Sequence, residues 1–247
     1  MLEADTYQSI MSLFNFEAGG NQAPRSANVE CAALNILAQL CHGSPKGRQA
    51  VTSASGFVNC FNRAVDLVLL FCSSMNEEES GRDDAGINND HTETSFQIQK
   101  KTDQDCETSD LVEASLSFLL STLPTTAIKA SLVSNSTFIQ LCFACARTGK
   151  TQVIRSMAVR IIALLASCTS VENQLTPENA SELLCETLTG GRVSTEESDA
   201  AERINLAAVA AHGLQCIFSK LRKEQQRVVI EVVGQSYLDL LRNRSLS

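Results

Sequence analysis

Four stretches of this chain can be laid over one another, and that repetition limits the fold more than anything else in the sequence. They are Ala33–Leu40, Ser115–Thr122, Ala158–Leu165 and Ala210–Ile217. The first residue is small in every copy (Ala33, Ser115, Ala158, Ala210) and the fifth is aliphatic in every copy (Leu37, Leu119, Ile162, Leu214). The eighth is aliphatic in the first, third and fourth copies (Leu40, Leu165, Ile217), with Thr122 in the second. Spacings of three and four place these positions on one face of an α-helix. A small residue there lets a second helix come close, and the aliphatic ones fill the contact. The copies start 82, 43 and 52 residues apart; without the acidic stretch at 74–109, the first interval becomes 46. A period in the forties predicts helical units that stack on their neighbours.

Other apolar positions agree. Val29, Ala33, Ile36, Leu37 and Leu40 are predicted to share one helical face, as are Leu116, Leu119, Leu120 and Leu123, and Val159, Ile162 and Leu165. After each copy come a short helical stretch and a second apolar helix. These are GSPKGRQAV, then Gly56 to Phe61; Ile128 to Val133, then Phe138 to Leu141; Val171 to Leu175, then Ala180 to Leu188; Gln225 to Val233, then Tyr237 to Leu241. Strand-like alternation is rare, and no Asn-Gly or Asp-Gly turn separates apolar runs, so almost no β structure is expected.

Residues 74–109 break the pattern with ten acidic and three basic side chains and few apolar ones. Such a stretch cannot recover its ordering entropy by burial. It reads as a disordered acidic loop, either a solvated linker or a regulatory, partner-binding element. Residues 190–199 form a second polar loop. The formal net charge of −8 over 247 residues is therefore mostly local: the loop carries −7 and the remainder −1. An acidic chain argues against nucleic acid as a partner, because phosphate binding needs clustered Lys and Arg. No apolar run approaches the length of a membrane span, and the acidic start Met1-Leu2-Glu3-Ala4-Asp5 lacks the layout of a signal peptide. The ten cysteines sit mostly in apolar runs, as buried thiols do. A reducing, cytoplasmic or nucleocytoplasmic setting is expected, in which the sequons at Asn135, Asn179 and Asn243 carry no sugar.

The run small-x-x-x-Leu-x-x-Leu, followed by a loop and then Ala54-Ser55-Gly56-Phe57-Val58, resembles an armadillo repeat. HEAT repeats are the near alternative. The resemblance implies an all-α, right-handed α-solenoid of about four armadillo-like repeats with partial repeats at both ends. Its parts would be N-terminal repeats at 1–73, the acidic loop at 74–109 and C-terminal repeats at 110–247, in one continuous solenoid. The register starts and stops within a repeat. The expectation is that the end helices (Met1 to Phe16 and Val228 to Leu241) are adapted as caps, or that the chain continues into or packs against further repeats.

In that family the aligned stretches are the third, concave-facing helices, and their third and seventh positions line a groove. Peptide carriers of the importin type place Trp and Asn there. Here the third positions are Asn35, Ser117, Arg160 and His212, and the seventh are Gln39, Ser121, Leu164 and Cys216. The chain has no Trp, which counts against recognition of a nuclear-localisation peptide. The candidate partner-binding groove is Asn35, Gln39, Ser117, Ser121, Arg160 and His212. With Arg160 and His212 in it, a neutral or acidic partner fits better.

Motifs for chemistry are weak. Gly149-Lys150-Thr151 lacks the second glycine of a phosphate loop, since position 144 is Ala, and Gly149 reads as a helix C-cap. Cys142-Phe143-Ala144-Cys145 has no second ligand pair and reads as buried thiols. Cys41-His42 is a possible dyad, but neighbours on a helix point apart, and His42 suits a helix end. The chain has three histidines (42, 91, 212). Phosphate-acceptor contexts occur at 24–26, 194–199 and 242–245. The expectation is a non-catalytic protein-interaction scaffold with no cofactor and no metal, binding a partner protein or extended peptide. The alternatives are a section of a larger armadillo protein such as a chaperone-associated factor, and an enzyme built on the Cys/His set.

Overall fold

The computed structural model describes residues 9–14, 26–80, 109–149, 151–170, 174–189 and 200–244. Among these residues every regular element is helical and no strand occurs. After one helical turn at 9–12, the helices are α1 (Ala27–Gly43), α2 (Pro45–Ser53), α3 (Phe57–Ser80) and α4 (109–122). Then follow α5 (Thr126–Ser134), α6 (Ser136–Thr148), α7 (Gln152–Leu165), α8 (Pro177–Leu188), α9 (Ala200–Ile217) and α10 (Lys223–Arg244). Single 3-10 turns at Ala166–Cys168 and Phe218–Lys220 end α7 and α9.

Local chemistry sets the boundaries. Ser44, Asn135, Thr151 and Thr176 each accept a backbone N–H three residues ahead, at 2.9–3.1 Å, and so cap α2, α6, α7 and α8. Pro45 and Pro177 open α2 and α8, where a missing N–H costs nothing. All four aligned stretches lie inside long helices: α1, α4, α7 and α9. Their small first positions and aliphatic fifth positions are all buried.

The chain divides into two compact units, Met1–Thr122 and Leu123–Ser247. Helix α4 falls in the first unit, because its side of the core is built there. The Phe118 ring lies 6.2 Å from that of Phe57 in α3, and the Ser121 carbonyl accepts from Arg48 Nε at 3.0 Å.

In the first unit α1 and α4 run parallel. Near their N-terminal ends the Cys31 thiol meets the Asp110 carbonyl at 3.6 Å. At their C-terminal ends the Arg48 guanidinium spans the Cys41 carbonyl (3.2 Å) and the Ser121 carbonyl. Helix α3 runs the other way: Phe57 sits by Phe118, late in α4, and Arg63 reaches Glu30, early in α1. Helix α2 packs so closely on α1 that a side chain at Gly47 would strike the Leu40 carbonyl.

The second unit repeats this logic in two layers. Helices α7 and α9 are parallel: Arg160 and Ser156 meet Glu202 near their starts, and Lys220 bonds the Ser167 and Thr169 carbonyls past their ends. Between these clamps, a Cβ on Gly213 would lie 3.1 Å from Ala163 Cα and 2.9 Å from Leu184 Cδ1, so a larger side chain there makes its neighbours shift. The other layer holds α6, α8 and α10, also parallel to one another. Gln140 faces Gln174 and Arg147 faces Glu182 and Glu186; Arg222 faces Glu178 and Ser236 bonds the Leu188 carbonyl.

The structure corrects the sequence reading in four places. Helix α3 continues through Ser80, so residues 74–80 are helical; Met75 and Glu77–Glu79 are adequate helix formers and nothing before Gly81 stops them. The remaining acidic segment, 81–108, lies outside the described residues, as do 190–199. On α1 the buried face is Glu30, Ala33, Leu34, Leu37, Ala38 and Cys41, whereas Val29 and Ile36 are each 45% exposed. The face is rotated because Leu34, Ala38 and Cys41 join Ala33 and Leu37 in the core, and Glu30 at its edge pairs with Arg63 at 2.9 Å and 3.1 Å. Of the short helical stretch expected at 171–175, residues 174 and 175 are not helical and 171–173 lie outside the described residues; Thr176 is the N-cap of α8 and Pro177 its first residue. Last, the stretches expected at 225–233 and 237–241 are parts of one uninterrupted helix, which contains the expected end helix at 228–241.

Candidate interaction surface

The candidate surface follows from how α1, α4, α7 and α9 are buried. Each hides its first- and fifth-position face, and what remains outward is decided one helix at a time. On α1 the outward stripe is Val29, Ala32, Asn35, Ile36 and Gln39, all exposed. On α9 it is Ala201, Ile204, Asn205, Ala208, His212 and Gln215, all exposed, with Ile204 56% exposed. Both stripes alternate aliphatic side chains with amides or an imidazole. That mixture offers apolar contact and hydrogen bonding together, as interfaces do.

The six expected groove residues have different fates. Asn35 and Gln39 are exposed on α1, and Ser117 is half-buried on α4. Ser121 is buried and its hydroxyl donates to the Phe118 carbonyl at 2.7 Å, so it presents nothing to a ligand. The cause is the register: α4 carries Ser121 onto the side facing α1, where Arg48 also bonds its carbonyl. Arg160 is half-buried in a clamp, with Nη2 2.9 Å from Glu202 Oε1 and Nε 3.3 Å from Ser156 Oγ. Ser156 Oγ in turn donates to the same carboxylate at 2.6 Å. The Ser156 bond first, and then Arg160, hold the Glu202 carboxyl below its ordinary range, against an opposing push from burial. His212 is exposed. The structure thus keeps Asn35, Gln39, Ser117 and His212 at a surface and gives Ser121 and Arg160 to the framework.

The cysteines and the other motifs sort in the same way. Cys41, Cys60, Cys142 and Cys145 are buried. Burial pushes the Cys60 thiol up to about 12, helped by neighbouring Cys41. Cys41 is raised as well, chiefly by burial, against the Ser121 hydroxyl and the Arg48 guanidinium. Exposed His42 and buried Cys41 form no dyad, as the angle between adjacent helical side chains requires. Gly149 ends α6 as its C-cap, with its N–H bonded to the Cys145 carbonyl at 3.0 Å; Lys150 lies outside the described residues. Ser26 is exposed at the N-cap of α1, while Ser194, Thr195, Ser245 and His91 lie outside the described residues.

The sequence reading passed over one pair. On α9, Cys216 Sγ lies 3.9 Å from His212 Nε2. The spacing His-x-x-x-Cys on a helix brings two side chains onto one face, which the chain neighbours Cys41 and His42 cannot do. Among the described residues no three His, Cys, Asp or Glu side chains gather as a metal centre. No described helix is long and apolar enough to cross a membrane.

No family model, no curated protein and no solved structure matches this chain.

Proposed function

We propose that the chain is an armadillo-like α-solenoid acting as a non-catalytic scaffold, which binds another protein or an extended peptide on the outward stripes of its repeat helices. The observation that carries this reading is the shared character of two such stripes. Val29, Ala32 and Ile36 alternate with Asn35 and Gln39 on α1, and Ile204 and Ala208 alternate with Asn205 and His212 on α9. Aliphatic side chains left in water on rigid helices favour a partner that covers them. A stripe built on helices is also preformed, so binding avoids the cost of ordering it. The amides at Asn35, Gln39 and Asn205 suit a peptide backbone. Arg203, exposed beside Ile204, and His212 favour a neutral or acidic segment over a basic one. A reducing, cytoplasmic setting fits the buried thiols at Cys41, Cys60, Cys142 and Cys145.

Site-specific photo-crosslinking tests the reading. A photoreactive residue at Asn35, Gln39, Asn205 or His212 is expected to capture one defined partner in cells. The same residue at Gln140 or Glu182, exposed on the other layer of the second unit, is expected to capture little. Equal capture from both sets would defeat the proposal.

A second reading, in which the chain is a section of a larger scaffold, is favoured by α10. Val228, Ile230 and Val233 there are 55%, 61% and 38% exposed. In a longer stack another helix would cover them. Val228→Glu with Ile230→Glu should then abolish any self-association measured by light scattering. A monomeric wild-type chain at high concentration would count against this reading.

A further inference from the structure

We propose that α10 is a self-association surface, on which a second copy of this chain packs its own α10 antiparallel, about a two-fold axis beside residue 229. The proposal rests on the second reading above, in which another helix covers the outer side of α10, and it names that helix.

The contacts of α10 set its two sides. Val229 is 5% exposed. Arg222 faces Glu178, Ser236 bonds the Leu188 carbonyl, and Gln226 Nε2 donates to the Phe218 and Leu221 carbonyls at 3.0 and 3.1 Å. On a helix that turns about 100° per residue, these three lie within roughly 60° of Val229. Arg227 and Glu231 each stand two residues from Val229, so they fall on the opposite side, and both are exposed. Val228 and Ile230, 55% and 61% exposed, form the two shoulders of that side. The outward face thus has a charged centre with an aliphatic side chain at each edge.

This face is complementary to itself. In an antiparallel pair centred on residue 229, Arg227 meets Glu231 of the second copy, and Glu231 meets Arg227 of the second copy. The same register sets Val228 against Ile230 of the second copy. Two-fold symmetry makes every such contact occur twice. A parallel pair would instead set Arg227 on Arg227 and Glu231 on Glu231, like charge against like. Neither charge is engaged in an ion pair among the described residues.

Gly234 points the same way on separate grounds. Glycine inside a helix weakens it. Gly213, also inside a helix, sits where neighbouring helices come close. A Cβ on Gly234 would meet nothing within 4 Å. One turn beyond Ile230 on the outward side, it leaves room for a second helix, and the antiparallel register sets it opposite Glu224 of the second copy. The two helices overlap along 223–235, about 20 Å. That contact is small for a specific interface, so the dimer is weak, concentration-dependent and sensitive to salt.

Sedimentation velocity on the full-length chain tests the pair. The wild type should show a monomer–dimer equilibrium. Arg227→Glu and Glu231→Arg should each weaken it about tenfold or more, because two opposite-charge contacts become two like-charge ones. An equimolar mixture of the two variants should associate as tightly as the wild type, since each restores the charge opposite the other. Both positions are exposed, so circular dichroism should be unchanged. The proposal is overturned if the wild type stays monomeric, if either variant alone associates like the wild type, or if the mixture does not recover. A wild type that self-associates and loses this in Val228→Glu with Ile230→Glu, yet shows no recovery in the mixture, would overturn the two-fold pair and leave α10 as a stacking surface. A wild type that stays monomeric would overturn both.

Discussion

The two units build the same object with different polar parts. In each, two parallel helices carry the repeated small and aliphatic positions, and a basic side chain lies across their C-terminal ends. In the first unit Arg48 spans the Cys41 and Ser121 carbonyls. In the second, Lys220 holds the Ser167 and Thr169 carbonyls. The starts differ: a thiol meets a carbonyl at Cys31 and Asp110, whereas an Arg–Ser–Glu clamp joins Arg160, Ser156 and Glu202. The charges differ as well. Residues 1–122 hold 7 basic and 17 acidic side chains, a net −10, and residues 123–247 hold 13 and 11, a net +2. Apolar register and helix direction are thus shared, while polar clamps and net charge vary freely. Burial of the aliphatic face supplies most of the stability, and many polar solutions serve to tie off the helix ends.

The comparison breaks most visibly at the fifth positions. Leu37→Ala and Leu214→Ala should each cost about 2–5 kcal/mol, read from chemical denaturation. A large loss at one and a neutral result at the other would mean that the two helices are not equivalent. Next comes the buried carboxylate of the first unit, which has no counterpart in the second clamp. Arg63→Ala leaves Glu30, only 5% exposed, without its ion-pair partner and should cost about 2–3 kcal/mol, somewhat less than a fully buried pair because Arg63 is partly exposed. Glu30→Gln should soften that loss; if Arg63→Ala is silent, the inward turn of Glu30 does not hold α1 in register.

Gly213→Ala isolates the tight crossing of the second unit. Alanine gains about 1 kcal/mol in helix propensity, but its Cβ meets Ala163 backbone at 3.1 Å. A net loss of about 1–2 kcal/mol is expected from overpacking, and a rise in melting temperature would show that the helices part easily.

The smallest effect belongs to the Glu202 clamp. Its carboxyl is held below the usual value of 4.5, first by Ser156. The stabilisation is therefore present above pH 4.5 and lost as the pH falls through the lowered value. Glu202→Gln should cost under ~1 kcal/mol at pH 7, since the carboxylate is partly exposed. The gap from wild type should narrow as acid protonates the carboxylate; a gap that stays constant through that titration would assign the loss to packing instead.

The sequence showed where the four principal helices lie, since α1, α4, α7 and α9 carry periodic apolar positions that the structure buries. It misjudged what periodicity alone cannot rank. Val29 and Ile36 share a spacing with Leu37, yet burial of Leu34, Ala38 and Cys41 with Leu37 decided which side of α1 is core. Ser121 and Arg160 occupy the same repeat positions as exposed Asn35 and His212, but neighbouring helices turned the first two into framework. A repeat position names an angle around one helix, whereas exposure depends on what stands opposite.

By itself, then, the sequence determined the helical class, the repeat period and the thirds-and-fourths register, because these follow from short-range spacing and backbone geometry. Only the tertiary structure decided that the chain divides into compact units between Thr122 and Leu123, that Arg48 and Lys220 span helix ends far apart in sequence, and that Gly213 is a contact point. Those outcomes rest on groups tens of residues apart arriving within 3–4 Å of one another, and no local pattern encodes which of many compatible partners will arrive.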